Sequence, residues 1–217
     1  MSETARSPFA AQSRQQFRRY FQPSRIVLAT IPAPVPSGVN IITVCFEMHS
    51  AYKPPMMCFA VHQTSYSYEL LKNASSCVLA VPGESLAAQA MICGLESGRD
   101  IDKARECGFS LVASRAIETP SIRQALASIE LSVVGRIPTG DCLTVLGEVR
   151  HFGVNPGLSE RNLLSIGPDT DGYEVLARKG IHRIGVVRKK SRVRGLDLTS
   201  MSPKHAAGPE TRSLRIS

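Results

Sequence analysis

The stretch from Val39 to Leu71, VNIITVCFEMHSAYKPPMMCFAVHQTSYSYELL, constrains the fold more than any other part of the chain. Asn40 to Met48 carries β-branched and aromatic residues in rough alternation, the pattern of a half-buried strand. A polar loop ending at Pro54-Pro55 follows, and Met56 to His62, nearly continuous in apolar residues, reads as a second strand. Proline is tolerated at the start of a strand because its missing N–H breaks no interior ladder bond. Thr64-Ser65-Tyr66-Ser67-Tyr68-Glu69 then places hydroxyls and an acid where a helix begins. Free N–H groups and a partial positive charge at a helix start let such hydroxyls help hold a phosphate. The plain alternative is an ordinary cap, with Ser65 at the N-cap and Glu69 in the first turn.

The remaining elements point the same way. Ile26 to Ile31 reads as a short strand, and Pro32 to Gly38 as a loop. A helix is expected near Tyr68 to Asn73, a strand over Cys77 to Val81, and short helices over Leu86 to Cys93 and Asp102 to Cys107. Phe109 to Ser114 is extended. Pro120 suits a first helical turn, so a helix is expected from there to about Ala127. Ile129 to Ile137 and Cys142 to Phe152 form a hairpin across Pro138-Thr139-Gly140-Asp141. Glu130 and Glu148, inside apolar strands, are assigned to edge or outward positions. Tyr173 to Leu176 and Ile181 to Val187 complete the strands. Strands dominate and the helices are short inserts, which implies a mainly β, closed or nearly closed antiparallel barrel with peripheral helices.

Charge and cysteines bound the function classes. Of the net charge of +8, the last thirty residues carry +6, from eight Lys/Arg against two Asp/Glu. The body is nearly neutral, so nucleic-acid binding is not expected of it. The tail from 188 to 217 is poor in apolar residues and is expected to be disordered. Phe9 to Phe21 fits an amphipathic helix ended by Pro23. The resulting division is an N-terminal helical extension over 1–23, a domain over 24–187 and a basic tail over 188–217. No apolar run has the length of a membrane span and no apolar leader opens the chain, which implies a cytoplasmic protein. Cys45, Cys58, Cys77, Cys93, Cys107 and Cys142 are scattered without a C-x-x-C, which argues against zinc and against a disulfide framework.

The usual catalytic sets are missing. There is no G-x-G-x-x-G opening a helix after the first strand, no G-x-S-x-G and no H-E-x-x-H. An enzyme without visible catalytic side chains leaves the chemistry to a cofactor.

Asn40 with Thr43, Pro54-Pro55, Tyr66-Ser67-Tyr68 and the run CGLESGRDIDK from Cys93 to Lys103 occur in an order and spacing that resemble the flavin reductase-like, FMN-binding split-barrel family, in its flavoredoxin-like branch. The similarity covers roughly Ser24 to Val187. It implies an antiparallel FMN-binding split β-barrel with short flanking helices. It also implies FMN as cofactor, with FAD the alternative, and NADH or NADPH as co-substrate. Asn40, Thr43, Val44, Cys45 and Phe46 match the segment beside the isoalloxazine. His49 and Ser50 match the loop near the ring or ribityl chain. Ser65, Tyr66, Ser67 and Tyr68, together with His62, match the phosphate end. Ser97, Gly98, Arg99 and Lys103 match the second motif. For Arg99, Asp100, Asp102 and Lys103 the competing assignment is a salt-bridge network that caps a helix.

Two departures stand out. His62 and Ser65 occupy positions where members of the family often carry Arg, and Phe46 stands where Trp is common. Loss of two guanidinium groups implies weaker, exchangeable flavin, with Lys103, Arg99 or a partner subunit supplying charge. The resemblance implies a homodimeric flavin reductase that passes reduced flavin or electrons to a monooxygenase or other acceptor. Three other roles remain open: a non-enzymatic FMN-binding electron carrier, a redox enzyme acting directly on an organic substrate, and a cofactor-free binding protein on the same barrel.

Overall fold

The structure is a computed structural model that describes residues 20–188. The expected helix over Phe9 to Phe21 lies outside the described residues but for its last two, and the tail lies outside but for Arg188.

Strands β1 (Ser24–Arg25), β2 (Val27–Pro32), β3 (Val39–Val44), β4 (Glu47–Tyr52) and β5 (Pro55–His62) open the fold. They are followed by α1 (Tyr66–Leu71), β6 (Ser76–Val81), α2 (Ala87–Leu95) and α3 (Lys103–Glu106). A short ribbon, β7 (Leu111–Val112) and β8 (Ser121–Ile122), precedes the long hairpin β9 (Ala127–Thr139) and β10 (Cys142–Val154). The chain closes with β11 (Leu164–Ser165), β12 (Tyr173–Lys179) and β13 (His182–Val187).

Seven strands form one antiparallel sheet in the order β3-β2-β6-β9-β10-β5-β4. Its two edge strands, β3 and β4, are neighbours in sequence, separated only by Cys45 and Phe46. Laid flat at about 4.8 Å per strand, the edges would lie about 29 Å apart. The three Cα steps from Val44 to Glu47 reach at most about 11 Å. The sheet therefore curls round until its edges approach, as the sequence pattern implied, and a backbone bond from Ala60 N to Phe46 O (2.9 Å) pins the crossing.

The single strand expected over Asn40 to Met48 is thus two strands on opposite edges. The polar segment after it is not a loop but β4, paired with β5 from Glu47↔Phe59 to Tyr52↔Pro55. Polarity misleads there because β4 is an edge strand with largely exposed side chains.

The sheet is apolar on both faces. Val27, Ala29, Ile31, Phe59, Val61, Leu79, Leu131 and Val145 fill the barrel interior. Ile26, Leu28, Val39, Ile41, Ala80 and, from α2, Ala90, Met91 and Cys93 form a second core outside it. β2 is buried on both sides, which accounts for its continuous apolar run. Ile184 and Val186 bring the small sheet β1-β11-β13-β12 onto this outer core.

Two further expectations are corrected. Pro120 does not start a helix. Ser121 and Ile122 pair with Val112 and Leu111, and Ile122 is buried in the outer core. Burial of that apolar side chain outweighs the local helix-start preference. Glu130 does not face outward but is 3% exposed. Its carboxylate accepts from the backbone N–H groups of Arg115 (2.9 and 3.1 Å) and Ala116 (2.7 Å), tying the Ser114–Ser121 loop to β9. Glu148 is half-buried and pairs with Arg150 at 3.0 Å.

Glu130→Ala leaves two amides and the space between them without an acceptor. Urea denaturation should show a loss of about 3 kcal/mol, the scale for removing a charged acceptor from buried donors. Glu148→Ala, by contrast, should change stability by less than about 1 kcal/mol.

Candidate functional site

Where the sheet edges approach, they leave a cavity of about 400 Å³. One wall is the seam itself, from β3 through Cys45-Phe46. A second is the end of β5 with the turn into α1. The third is a lip formed by the end of α2 and the segment that leads into α3.

Most of the residues singled out in the sequence meet here. Asn40, Thr43, Val44, Cys45 and Phe46 line it from the seam, His62, Ser65, Tyr66 and Ser67 from the turn, and Ser97, Gly98 and Lys103 from the lip. Four lie outside its walls. His49 sits exposed on β4, its ring edge-on to Tyr52 at 4.7 Å, and Ser50 is exposed beside it at a register shift. The Tyr68 ring packs toward the barrel core with the Lys72 ammonium 4.7 Å from its centre. Arg99 stacks 4.9 Å from the centre of the Tyr66 ring and pairs with Glu69 at 2.5 Å. The walls also include Thr64, Cys93, Gly94, Leu95 and Glu96, and Ala60 and Val61 from β5. Thr64 lay in the hydroxyl run and Cys93-Gly94 opened the second motif. Ala60 and Val61 carried no signal, being ordinary strand residues.

The hydroxyls are more committed than their composition suggests. Ser65 is the N-cap of α1: its Oγ accepts from Tyr68 N (3.2 Å) and donates to His62 O (2.8 Å). Thr43 donates its hydroxyl to Ala90 O at 2.5 Å, so toward the cavity it is an acceptor only. Ser67 is buried and receives Asn40 Nδ2 at 2.7 Å. At the rim His62 holds Thr64 Oγ1 through Nδ1 (2.8 Å) and faces Asp141 through Nε2 (3.4 Å).

Two polar groups in the wall are left incompletely satisfied. Asn40 is 2% exposed, and its Oδ1 has no hydrogen-bond partner. Lys103 is 3% exposed, and its ammonium donates to Cys93 O at 2.9 Å. Burial lowers its pKa, a shift opposed by the nearby thiols and Glu96. A buried ammonium has three donors and one charge to satisfy.

The acid–base run of the second motif is not one network. Arg99 turns to α1, Lys103 turns inward, and Asp102 caps α3 by accepting from Arg105 N (3.4 Å) and from Ser37 N (2.8 Å). For Asp102, burial raises the pKa, but the bonds from Ser37 and Arg105 prevail and hold it below the usual carboxylate value.

Gly98 sets how closely the lip approaches. A Cβ there would lie 1.9 Å from Asn40 Oδ1 and 3.2 Å from the Tyr66 ring. Any side chain would press into the cavity wall.

A larger hollow of about 600 Å³ lies between the β7–β8 ribbon and the far end of the long hairpin, beside Arg123, Glu130 and His151. Its buried acid is already consumed by the Arg115 and Ala116 amides. No helix of the described residues is long and apolar enough to cross a membrane. Among the same residues no cluster of three or more His, Cys, Asp or Glu could hold a metal ion.

The chain is 28% identical over 132 residues to an uncharacterized protein of Archaeoglobus fulgidus, a match covering 61% of this chain and 73% of that one. Among solved structures it is similar to flavoredoxin from Methanosarcina acetivorans (TM-score 0.68, 17% identity, 90% of this chain and 100% of the other). It is also similar to the FMN-binding protein from Thermus thermophilus (TM-score 0.66, 17%, 86% and 99%). The NADH:FAD oxidoreductase SgcE6 of Streptomyces globisporus matches with a TM-score of 0.62 at 17% identity over 74% of this chain and 95% of that one. These likenesses establish the fold as the split barrel. The model of the flavin reductase like domain matches residues 17–178, and the chain belongs to that family, which includes NADH:flavin oxidoreductases and flavoredoxins.

Proposed function

We propose that the protein is an FMN-dependent flavin reductase that oxidises NADH or NADPH and delivers reduced flavin or electrons to a partner such as a monooxygenase. The observation that carries this reading is the seam cavity, whose wall buries an unpartnered amide oxygen at Asn40 and an ammonium at Lys103. Such groups suit a ligand that brings both hydrogen-bond donors and negative charge, as the ribityl hydroxyls and phosphate of FMN do. A structural neighbour that binds FMN and another that is an NADH:FAD oxidoreductase support the same reading.

Bound flavin supplies hydride acceptance and electron transfer, so no side chain has to act as acid, base or nucleophile. The protein's part is positioning. Asn40, Ser67 and Lys103 would hold the polar portion, with Ser97 and the His62–Ser65 turn beside them. The seam backbone from Thr43 to Phe46, which lines the cavity, would border the ring. The apolar groove that continues from Cys45 and Phe46 past Met48, Phe59 and Ala60 leaves room for the nicotinamide. Arg99 acts from outside the walls by fixing Tyr66. Phe152 and Val154, exposed on one face of β10, suit burial against a second copy in a homodimer.

Purified protein incubated with FMN and desalted should stay yellow, and adding NADH or NADPH should consume nicotinamide absorbance at 340 nm. Bound flavin without turnover would reject the reductase role and favour the electron-carrier reading. Gly98→Ala should weaken FMN about tenfold or more, because its Cβ collides with the Asn40 side chain. Gly153→Ala, whose Cβ would meet nothing nearer than 3.5 Å, should leave affinity unchanged. His62→Arg places a permanent cation at the rim and should tighten FMN about tenfold, measured by flavin fluorescence quenching.

A further inference from the structure

Beneath the lip, Cys93 Sγ and Cys107 Sγ lie 4.0 Å apart. Cys93 is on α2, fully buried, and contributes to the cavity wall. Cys107 is the C-cap of α3 and is half-buried. We infer that these two cysteines form a thiol–disulfide exchange site, reactive toward low-molecular-weight disulfides, whose oxidation displaces the lip and lowers flavin affinity.

The geometry assigns the order of events. Cys107 is the accessible thiol and Cys93 the enclosed one, so the incoming disulfide meets Cys107 first. A hydrogen bond from the Cys93 thiol lowers the pKa of Cys107, aided by the Lys103 ammonium and opposed by burial. The same bond, with burial, raises the pKa of Cys93. Cys107 is therefore the better thiolate and Cys93 the resolving group. The Cys107 thiolate attacks one sulfur of the external disulfide, whose S–S bond breaks and whose other half leaves as a thiolate that takes up a proton. Cys93 releases its proton to solvent, and its sulfur attacks Cys107 Sγ, expelling the second half. Two cysteine thiols are oxidised to one disulfide, and one external disulfide is reduced to two thiols.

Closing the pair shortens the sulfur–sulfur distance from 4.0 Å to about 2.05 Å. The chain between the two cysteines carries Ser97, Gly98 and Lys103, and it has little slack. A Cβ at Gly94 would lie 3.3 Å from Thr43 Cβ, and the Lys103 ammonium is tied to the Cys93 carbonyl. Drawing α2 and α3 together by about 2 Å therefore displaces the lip against the seam. This second half of the inference rests on the flavin reading above. By linkage, FMN must disfavour the disulfide by the factor that the disulfide disfavours FMN.

The 217-residue chain, free of flavin, is equilibrated in glutathione buffers from fully reduced to fully oxidised, alkylated, digested with trypsin and analysed by mass spectrometry. Arg99, Lys103 and Arg105 separate the cysteines, so the disulfide joins two tryptic peptides. The linked pair should accumulate with oxidised glutathione, and the FMN Kd of that form should rise about fivefold or more. Cys107→Ser should abolish the linked pair and the redox dependence, while binding FMN in reducing buffer within about twofold of the parent. Glutathionylated Cys107 without the linked pair would overturn the exchange site. A linked pair with unaltered FMN affinity would overturn the coupling. Because the linkage is scored without flavin, it stands or fails whether or not FMN binds.

Discussion

The shortness of the Cys45-Phe46 link governs this structure. A seven-stranded sheet whose first and last edge strands are joined by two residues cannot lie flat, since the link reaches less than half the width of such a sheet. Curling buries one face as the barrel interior and turns the other outward. The outer face is as apolar as the inner, so α2, α3 and the small sheet are recruited to cover it. The seam where the edges approach is the place where neighbouring strands do not fill the space, and the cavity forms there.

The lip is built by the same economy. α2 packs on the outer core through Ala90, Met91 and Cys93, and Thr43 reaches across from the seam to the Ala90 carbonyl. That contact fixes how near the helix stands to β3. Gly98 then lets the following segment lie against Asn40, and Asp102 ends it by capping α3 and holding Ser37. Lys103 is buried because α3 begins there and carries the side chain under the lip. Burial of an ammonium and an orphan amide oxygen in one cavity wall costs stability unless a ligand or water satisfies both. Active sites commonly hold such groups, and the fold retains them only because the surrounding core over-determines their positions.

Much of this was legible in the residues. The β2, β5 and β6 strands, the Ser65 cap, the short helix after Asp102 and the long hairpin all followed from apolar period and capping chemistry. Three errors share one cause. The strand over Asn40 to Met48, the loop after it and the helix at Pro120 were judged from residue pattern alone, and each was overruled by strand pairing, of Glu47–Tyr52 with Pro55–Phe59 and of Ser121–Ile122 with Leu111–Val112. Glu130 belongs with them: in a strand, an acid reads as exposed until a loop is known to fold its amides over it.

The sequence by itself determined that the chain is a mainly antiparallel barrel, because strand period and caps are local properties, and its resemblance to the family marked the Asn40–Tyr68 and Cys93–Lys103 stretches as the candidate site. Only the tertiary structure decided what those motifs make together. Curling of the sheet set Asn40 beside Ser67 and Gly98, and the packing of α2 and α3 on the outer face turned Arg99 toward Glu69 and brought Cys93 to within 4.0 Å of Cys107. Each of these contacts depends on which elements pack together once the sheet has closed, and no stretch of the chain encodes that alone.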